Sequence, residues 1–344
     1  MNSAQVRALS TDQMAALETG DLRAMTTTAL RALGTEQLNA LGSDQVAALT
    51  TAQVAALSSL QLGNLSTTNL NALNSAQFAV LNSAQVAAMT STQVGALETA
   101  DLVALGSSGI RAWNSSQIGA LTSTEIAAMT TAQAAALASN QLGGWTSSQL
   151  GAMETNDLRA LSTSTLRVLQ TDQLAGLGTD QMAALSSVQV PVLTSVQISN
   201  LSSTNLNALS SSQFALLTTA QVGALTTSQA STLETNDLAA IGSAGLRALN
   251  SGHLSAFSSD QIVALTSAQV GSITSVQAAG LNSVQIAAFE TGDLRAMTSS
   301  ESGPGTIFSN RPEITKSARS WMPNIWGFLR VVRCRGDGWV DDGS

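Results

Sequence analysis

Few residues in this chain have the type and spacing to do chemistry, and they recur at fixed places. Glu18, Glu98, Glu154, Glu234 and Glu290 are each followed three residues on by an aspartate: Asp21, Asp101, Asp157, Asp237 and Asp293. The motifs read ETGD, ETAD or ETND. In the four complete cases an arginine follows in the next segment, at Arg31, Arg111, Arg167 and Arg247. A calcium ion needs about six oxygen ligands, and one Glu plus one Asp supplies too few. Carboxylates that share acid–base work need opposed environments, and nothing in the pattern provides one. The pattern is read as a surface charge pair between neighbouring segments, about 0–1 kcal/mol; a docking mark for a partner is the sharper alternative. His253, in NSGHLSAF, is the only histidine, so a Ser–His triad has a single candidate base, and it sits in ordinary repeat. Cys334 is the only cysteine. It excludes an internal disulfide framework and a Cys-rich zinc site. No phosphate-binding loop, dinucleotide fingerprint or zinc spacing occurs. No catalytic, cofactor-binding or metal-ligating residue is assigned, and no cofactor is expected.

The elements that carry these residues repeat every eight positions. With the register c-d-e-f-g-h-a-b starting at Asn2, 37 octads run without a gap to Met297. Positions g and b are apolar in every octad, position d is Ser or Thr in all 37, and position f is Gln in 24. The spacing from g to b is three and from b to the next g is five. A straight strand would send such a pair to opposite faces, whereas a helix places i and i+3 together. One unbroken helix fails too, because eight residues rotate about 800° and the apolar stripe would drift about 80° per octad. A short helix followed by a sharp turn, repeated, keeps each apolar pair on one core. Isolated helices under about 12–15 residues are marginal, so each octad must lean on its neighbours, as in a solenoid. The fold class is therefore all-α: a solenoid of short helices, one per octad.

The cap chemistry is consistent with this. Ser or Thr at d is read as the N-cap, with Gln at f near capping-box geometry. Acidic residues at e (Asp12, Glu36, Asp44, Asp172, Asp180 and Asp260) then occupy the first helical position, where the macrodipole favours them. Glycine at c (Gly34, Gly42, Gly106, Gly178 and Gly242) is read as a left-handed C-terminal residue. Asp and Asn never appear at d, which predicts a partly buried hydroxyl there that donates as well as accepts. The six array aromatics, Phe78, Trp113, Trp145, Phe214, Phe257 and Phe289, all fall at g or b and read as core. Pro191, at h, is expected to remove one helical hydrogen bond. All eight array arginines fall at h, which marks that position as solvent-facing.

The Glu spacings of 80, 56, 80 and 56 sum to a 136-residue block, so residues 18–153 and 154–289 read as copies within a repeat solenoid over 2–300. Residues 301–344 lose the register and hold six of 14 basic residues, three of five Trp and three of four Pro. This tail reads as a cap, an interaction segment, a secretion signal or a translated frame foreign to the array.

The chain carries a net charge of −8, 10 % charged residues and a single Lys, a poor basis for contacts with a phosphate backbone. No nucleic-acid partner is expected. There is no apolar run long enough for a transmembrane helix and no Sec-type leader pattern at the N-terminus.

The octad LTTAQVAAL resembles low-complexity arrays of the form L-(S/T)-(S/T)-x-Q-(V/I)-x-A-L in very large bacterial surface proteins, often labelled haem-utilisation or adhesion proteins. The resemblance covers residues 2–300. It implies a structural or adhesive role at the cell surface; the haem label finds no support in an array with one His and no Cys. The expectation is a non-enzymatic repeat protein, a rigid spacer or surface-contact module, extracellular or on the cell surface, with a protein or cell-surface partner. The alternative is a cytoplasmic, protein-binding scaffold presenting positions e and h. Recognition of an ordered surface such as ice or glycan by rows of Ser and Thr is a third reading, and it requires flat, exposed hydroxyls.

Overall fold

The computed structural model describes residues 1–290 and Asp293. Among the described residues there is no strand. Each octad forms one helical segment of three to seven residues: 34 are α-helices and two are 3-10 segments. Two backbone bonds recur in most octads. The g amide donates to the c carbonyl, as Val54 does to Thr50 at 3.0 Å, and the b amide donates to the g carbonyl, as Leu57 does to Val54 at 3.1 Å. The b residue is then extended, with ψ of 142° at Leu57, and the next helix starts.

One such turn of helix fixes many dihedrals for few bonds, so its stability comes from stacking. Each helix packs on the helix three octads on: Ser3–Arg7 on Thr27–Arg31, and that on Thr51–Ala56. Side-chain hydrogen bonds between successive turns span 25 to 31 residues, which is three to four octads per turn. Two compact units result, Met1–Leu233 and a second beginning at Glu234, and the stacking holds within each. The g residues fill the core, and most are fully buried, such as Val54, Leu62 and Phe78 at 0 % exposure. The b residues form a second buried row, to which Trp113 and Trp145 belong. All six aromatics are buried, and each indole N–H finds a carbonyl, Trp113 on Val86 and Trp145 on Ile118. A buried Leu or Phe contributes about 1.5–3 kcal/mol, so two such residues per octad offset the ordering of a chain with little other cohesion.

Three expectations need correction. The N-cap is position c, one residue before d: Ser10, Thr26, Thr50 and Asn82 accept from the amide of f, and the helix begins at d. Asn is therefore present among the caps, at Asn2, Asn74, Asn82, Asn114, Asn250 and Asn282, and the acids at e stand at the second helical position. Gly34, Gly42 and Gly178 are also N-caps with φ of −71°, −76° and −82°. Only Gly106 and Gly242 are left-handed, at φ 61° and 66°; there two helices join through Leu105 and Ile241 in the helical region instead of an extended residue. Position d is mixed: Thr11, Thr27, Ser43 and Thr51 are exposed, whereas Thr35, Ser75, Ser107, Ser195 and Ser243 are half-buried. Some d hydroxyls do donate, Ser107 to Ala132, Ser195 to Ala220 and Ser243 to Ala268, but none caps its own helix, and the constancy of Ser or Thr at d has no complete structural account.

Pro191 lies in a 3-10 segment, Val190–Val192, where an α-helix would have needed its missing N–H. The tail 301–344 lies outside the described residues.

Candidate functional site

The most heavily used polar group of the molecule is the glutamine at f. It stands at the third helical position. Its amide oxygen accepts the N–H of the c residue, as Gln53 Oε1 does from Thr50 at 2.8 Å. Its amide nitrogen donates to the turn below: Gln53 Nε2 meets the carbonyls of Leu22 at 2.7 Å and Met25 at 3.0 Å. The same pair of acceptors, g and b of the octad four before, recurs for Gln85 on Val54 and Leu57, Gln197 on Leu166 and Leu169, and Gln285 on Leu254 and Phe257. Nearly all these glutamines are buried, Gln133 and Gln269 completely. A buried amide is tolerated because both its ends are paired. One side chain thus closes a capping box and ties two turns together, which explains why Gln is used in place of Glu. Glu would serve the cap and the macrodipole equally well, but it has no donor for the carbonyls beneath.

Glu125 makes the point. It replaces Gln at f and is 3 % exposed. Its Oε2 accepts from the Thr122 amide at 2.6 Å, so the cap survives, but Oε1 has no partner. His253 is buried in the same slot and plays the cap role with Nδ1, which accepts from the Asn250 amide at 3.0 Å. Asn69 and Asn205 keep the downward bonds to Leu41 and Leu177.

Beyond the first motif, whose Glu18 and Asp21 are exposed, the Glu–Asp motifs are not the surface charge pairs expected from sequence. Asp101 and Asp157 are 3 % exposed, and each carboxylate accepts from a hydroxyl of the turn below, Ser75 Oγ at 2.8 Å and Thr131 Oγ1 at 2.7 Å. Asp293 takes the same bond from Ser267. Burial pushes the Asp101 carboxyl above its usual range; the Ser75 hydrogen bond opposes this, and the nearby Glu98 adds to it. The arginines at h point outward: Arg31, Arg111, Arg167 and Arg247 are exposed. Glu98, Glu154 and Glu234 are N-caps that make no side-chain cap bond. At Asp101, Asp157 and Asp293 the glutamine tie is therefore replaced by a hydroxyl–carboxylate bond, and in the octad after each of the first four motifs the f residue is small, as at Ala29, Gly109 and Gly245, or is Thr165. Among the described residues no three His, Cys, Asp or Glu side chains gather as a metal site would require.

Position h faces the turn above. Asn39 Nδ2 donates to the carbonyl of Asn64 at 2.7 Å, Asn207 to Thr232 at 2.7 Å, and Arg7 Nε to Ala32 at 3.3 Å. Glycine at h lets that carbonyl come closer: a Cβ on Gly63 would stand 2.4 Å from the Ala88 oxygen, and one on Gly151 2.5 Å from that of Gly176. Position e is the outermost row. It carries the acids and also bare apolar side chains, Leu60, Val188, Val196, Val276 and Val284, each more than 60 % exposed. The sequence pattern identified e and h as surface, and it missed the downward reach of Gln. The available signal was the preference for Gln over Glu at a helix N-terminus.

A family model described as the ALTTAQ repeat matches residues 14–51, 54–91, 65–99, 94–131, 150–187, 190–227 and 231–267. Together these segments cover well over half of the chain. The chain belongs to the ALTTAQ repeat family. The family's name spells five positions of the octad and the glutamine: Ala and Leu at a and b, two hydroxyl residues at c and d, a variable e, and Gln at f. In structural terms these are the core residue, the cap and the inter-turn tie. No curated protein matches the chain. Among the described residues of this ALTTAQ array, no helix is long and apolar enough to cross a membrane.

Proposed function

We propose that this ALTTAQ array is a non-enzymatic structural or adhesive module, a spacer or surface-contact element displayed at the cell surface, as in the bacterial surface arrays its octads resemble. One observation carries the reading. The polar side chains that could have formed a reactive cleft, the glutamines at f, Asp101, Asp157 and His253, are buried and committed to caps and ties between turns. What is left outside is mostly Ala, Ser and Thr, with acids and single apolar side chains at e and arginines at h. Such a stack holds its form with nearest-neighbour contacts only, and its length is set by the number of repeats. The test is protease treatment of intact cells that make the protein, followed by antibody detection of the array. Loss of the array with cytoplasmic markers intact supports surface display; an array digested only after lysis rejects it.

A second reading, an intracellular scaffold that presents e and h to a protein partner, draws support from the exposed valines at Val188, Val196, Val276 and Val284. Each unit carries two of them on consecutive octads, apolar surface that a partner could cover. Co-purification of one defined partner, lost when these four valines are changed to Ser, would favour it over the spacer.

A further inference from the structure

Glu125 is the only glutamate at position f. It is 3 % exposed, and its Oε1 is buried without a hydrogen-bond partner. The octads on either side keep the usual tie: Gln117 donates to the carbonyls of Ala87 and Met89, and Gln133 to that of Leu102. The stacking register therefore runs unbroken past Glu125. It assigns to Oε1 the carbonyls of Val94 and Leu97, 31 and 28 residues back, as Gln93 has those of Leu62 and Leu65 at 3.0 and 2.8 Å. Both residues are buried. The Val94 carbonyl accepts only the Leu97 amide, at 3.2 Å, and among the described residues the Leu97 carbonyl meets no donor. Gln93 offers two N–H groups to two oxygens; Glu125 offers a third oxygen.

A carboxylate and two carbonyls brought together repel one another, and a buried charge without a partner is costly. The arrangement calls for positive charge. A proton on Oε1 supplies one O–H, which serves one carbonyl and leaves the other bare. A metal ion takes all three oxygens at once. Two of the three lie at the C-terminal end of the helix Ser91–Val94, where the helix dipole and free carbonyls favour a cation. One carboxylate balances one positive charge. A calcium ion would need about six oxygen ligands or more, and the described residues hold no cluster of three acidic or imidazole side chains. We propose that Glu125 Oε1 and the carbonyls of Val94 and Leu97 form a site for a monovalent metal cation, sodium or potassium, which ties these two turns in place of the glutamine amide. This goes beyond the spacer reading and does not depend on it.

Thermal unfolding of the full 344-residue chain at neutral pH tests the proposal. It is followed in sodium chloride, in potassium chloride and in tetramethylammonium chloride at matched ionic strength; the last cation is too large to sit among three buried oxygens. The parent should melt higher in sodium or potassium than in tetramethylammonium. Its midpoint should rise about 1–3 °C for each tenfold increase of the bound metal above its dissociation constant. Glu125→Gln restores the usual residue of the repeat and supplies both donors, so the fold is kept. It should melt above the parent in tetramethylammonium and at one temperature in all three salts, so the two proteins converge as the metal is raised. A parent that melts alike in the three salts overturns the proposal. So does a metal response that persists in Glu125→Gln. Convergence of the two proteins on acidification, with no response to sodium or potassium, gives the role to a proton and overturns it as well.

Discussion

Gln13 and Gln85 have the same place in the same octad, and they differ in everything the surroundings supply. Gln13 is exposed and makes the cap alone, accepting from the Ser10 amide at 2.9 Å. Gln85 is 1 % exposed; it accepts from the Asn82 amide at 2.9 Å and also donates to Val54 at 3.0 Å and Leu57 at 2.8 Å. The first-turn residue shows what an eight-residue motif specifies by itself. The interior residue shows what stacking adds. A capped single turn is a local structure of marginal stability, and it becomes a fold when the free end of the cap side chain is used on a neighbour about 30 residues away.

The comparison breaks most sharply at Gln85→Glu. The variant retains the cap and sets a buried carboxylate against two carbonyls, which should cost about 2–3 kcal/mol by urea denaturation; Gln13→Glu should change stability by less than about 0.5 kcal/mol. Glycines sharpen the same contrast. Gly63→Ala drives a Cβ to 2.4 Å from the Ala88 carbonyl oxygen and should destabilise by about 1–3 kcal/mol. Gly20→Ala, in the first turn and with nothing within 4 Å of the new Cβ, should be neutral or stabilising by up to about 1 kcal/mol. Glu125→Gln supplies the missing donor for the carbonyls at the register positions Val94 and Leu97 and should stabilise by about 1–2 kcal/mol.

The smallest effect is one of pH. Burial holds the Asp101 carboxyl above the ordinary value of 3.8, so the folded state binds its proton more tightly than the unfolded chain does. That contribution is fully present below 3.8 and is lost as pH rises through the folded-state value. Asp101→Asn should therefore gain on the parent as pH rises from 3.8 towards neutrality. Urea midpoints of the two proteins that move in parallel over that range would contradict the assignment.

Much of the fold was legible in the sequence, for a definite reason. The g-to-b spacing of three excludes a strand, the five-residue return excludes an unbroken helix, and the two exclusions leave one architecture; Phe78, Trp113 and Phe214 at g or b then had to be core. The cap was misplaced by one residue because the invariant position d drew attention from c, where Ser and Thr are mixed with Asn, Gly and Glu. Gly34 and Gly106 look identical in the octad, yet only Gly106 is left-handed; the difference is whether the preceding residue stays helical, as Leu105 does. The role of Asp101 was hidden because its partner Ser75 lies 26 residues away, and a separation fixed by the number of octads per turn cannot be read from one octad. The same ignorance of pitch concealed the second role of Gln.

Amide hydrogen exchange tests the central claim, that the f glutamine ties turns together as well as capping its own helix. The measurement compares Gln85→Glu with the parent in two segments, Asn82–Met89, which contains the substitution, and Thr50–Leu57, which contains the carbonyls that Gln85 meets. The account predicts faster exchange in both segments. Exchange in Thr50–Leu57 that is unchanged by the substitution would mean that the residue is a cap and nothing more.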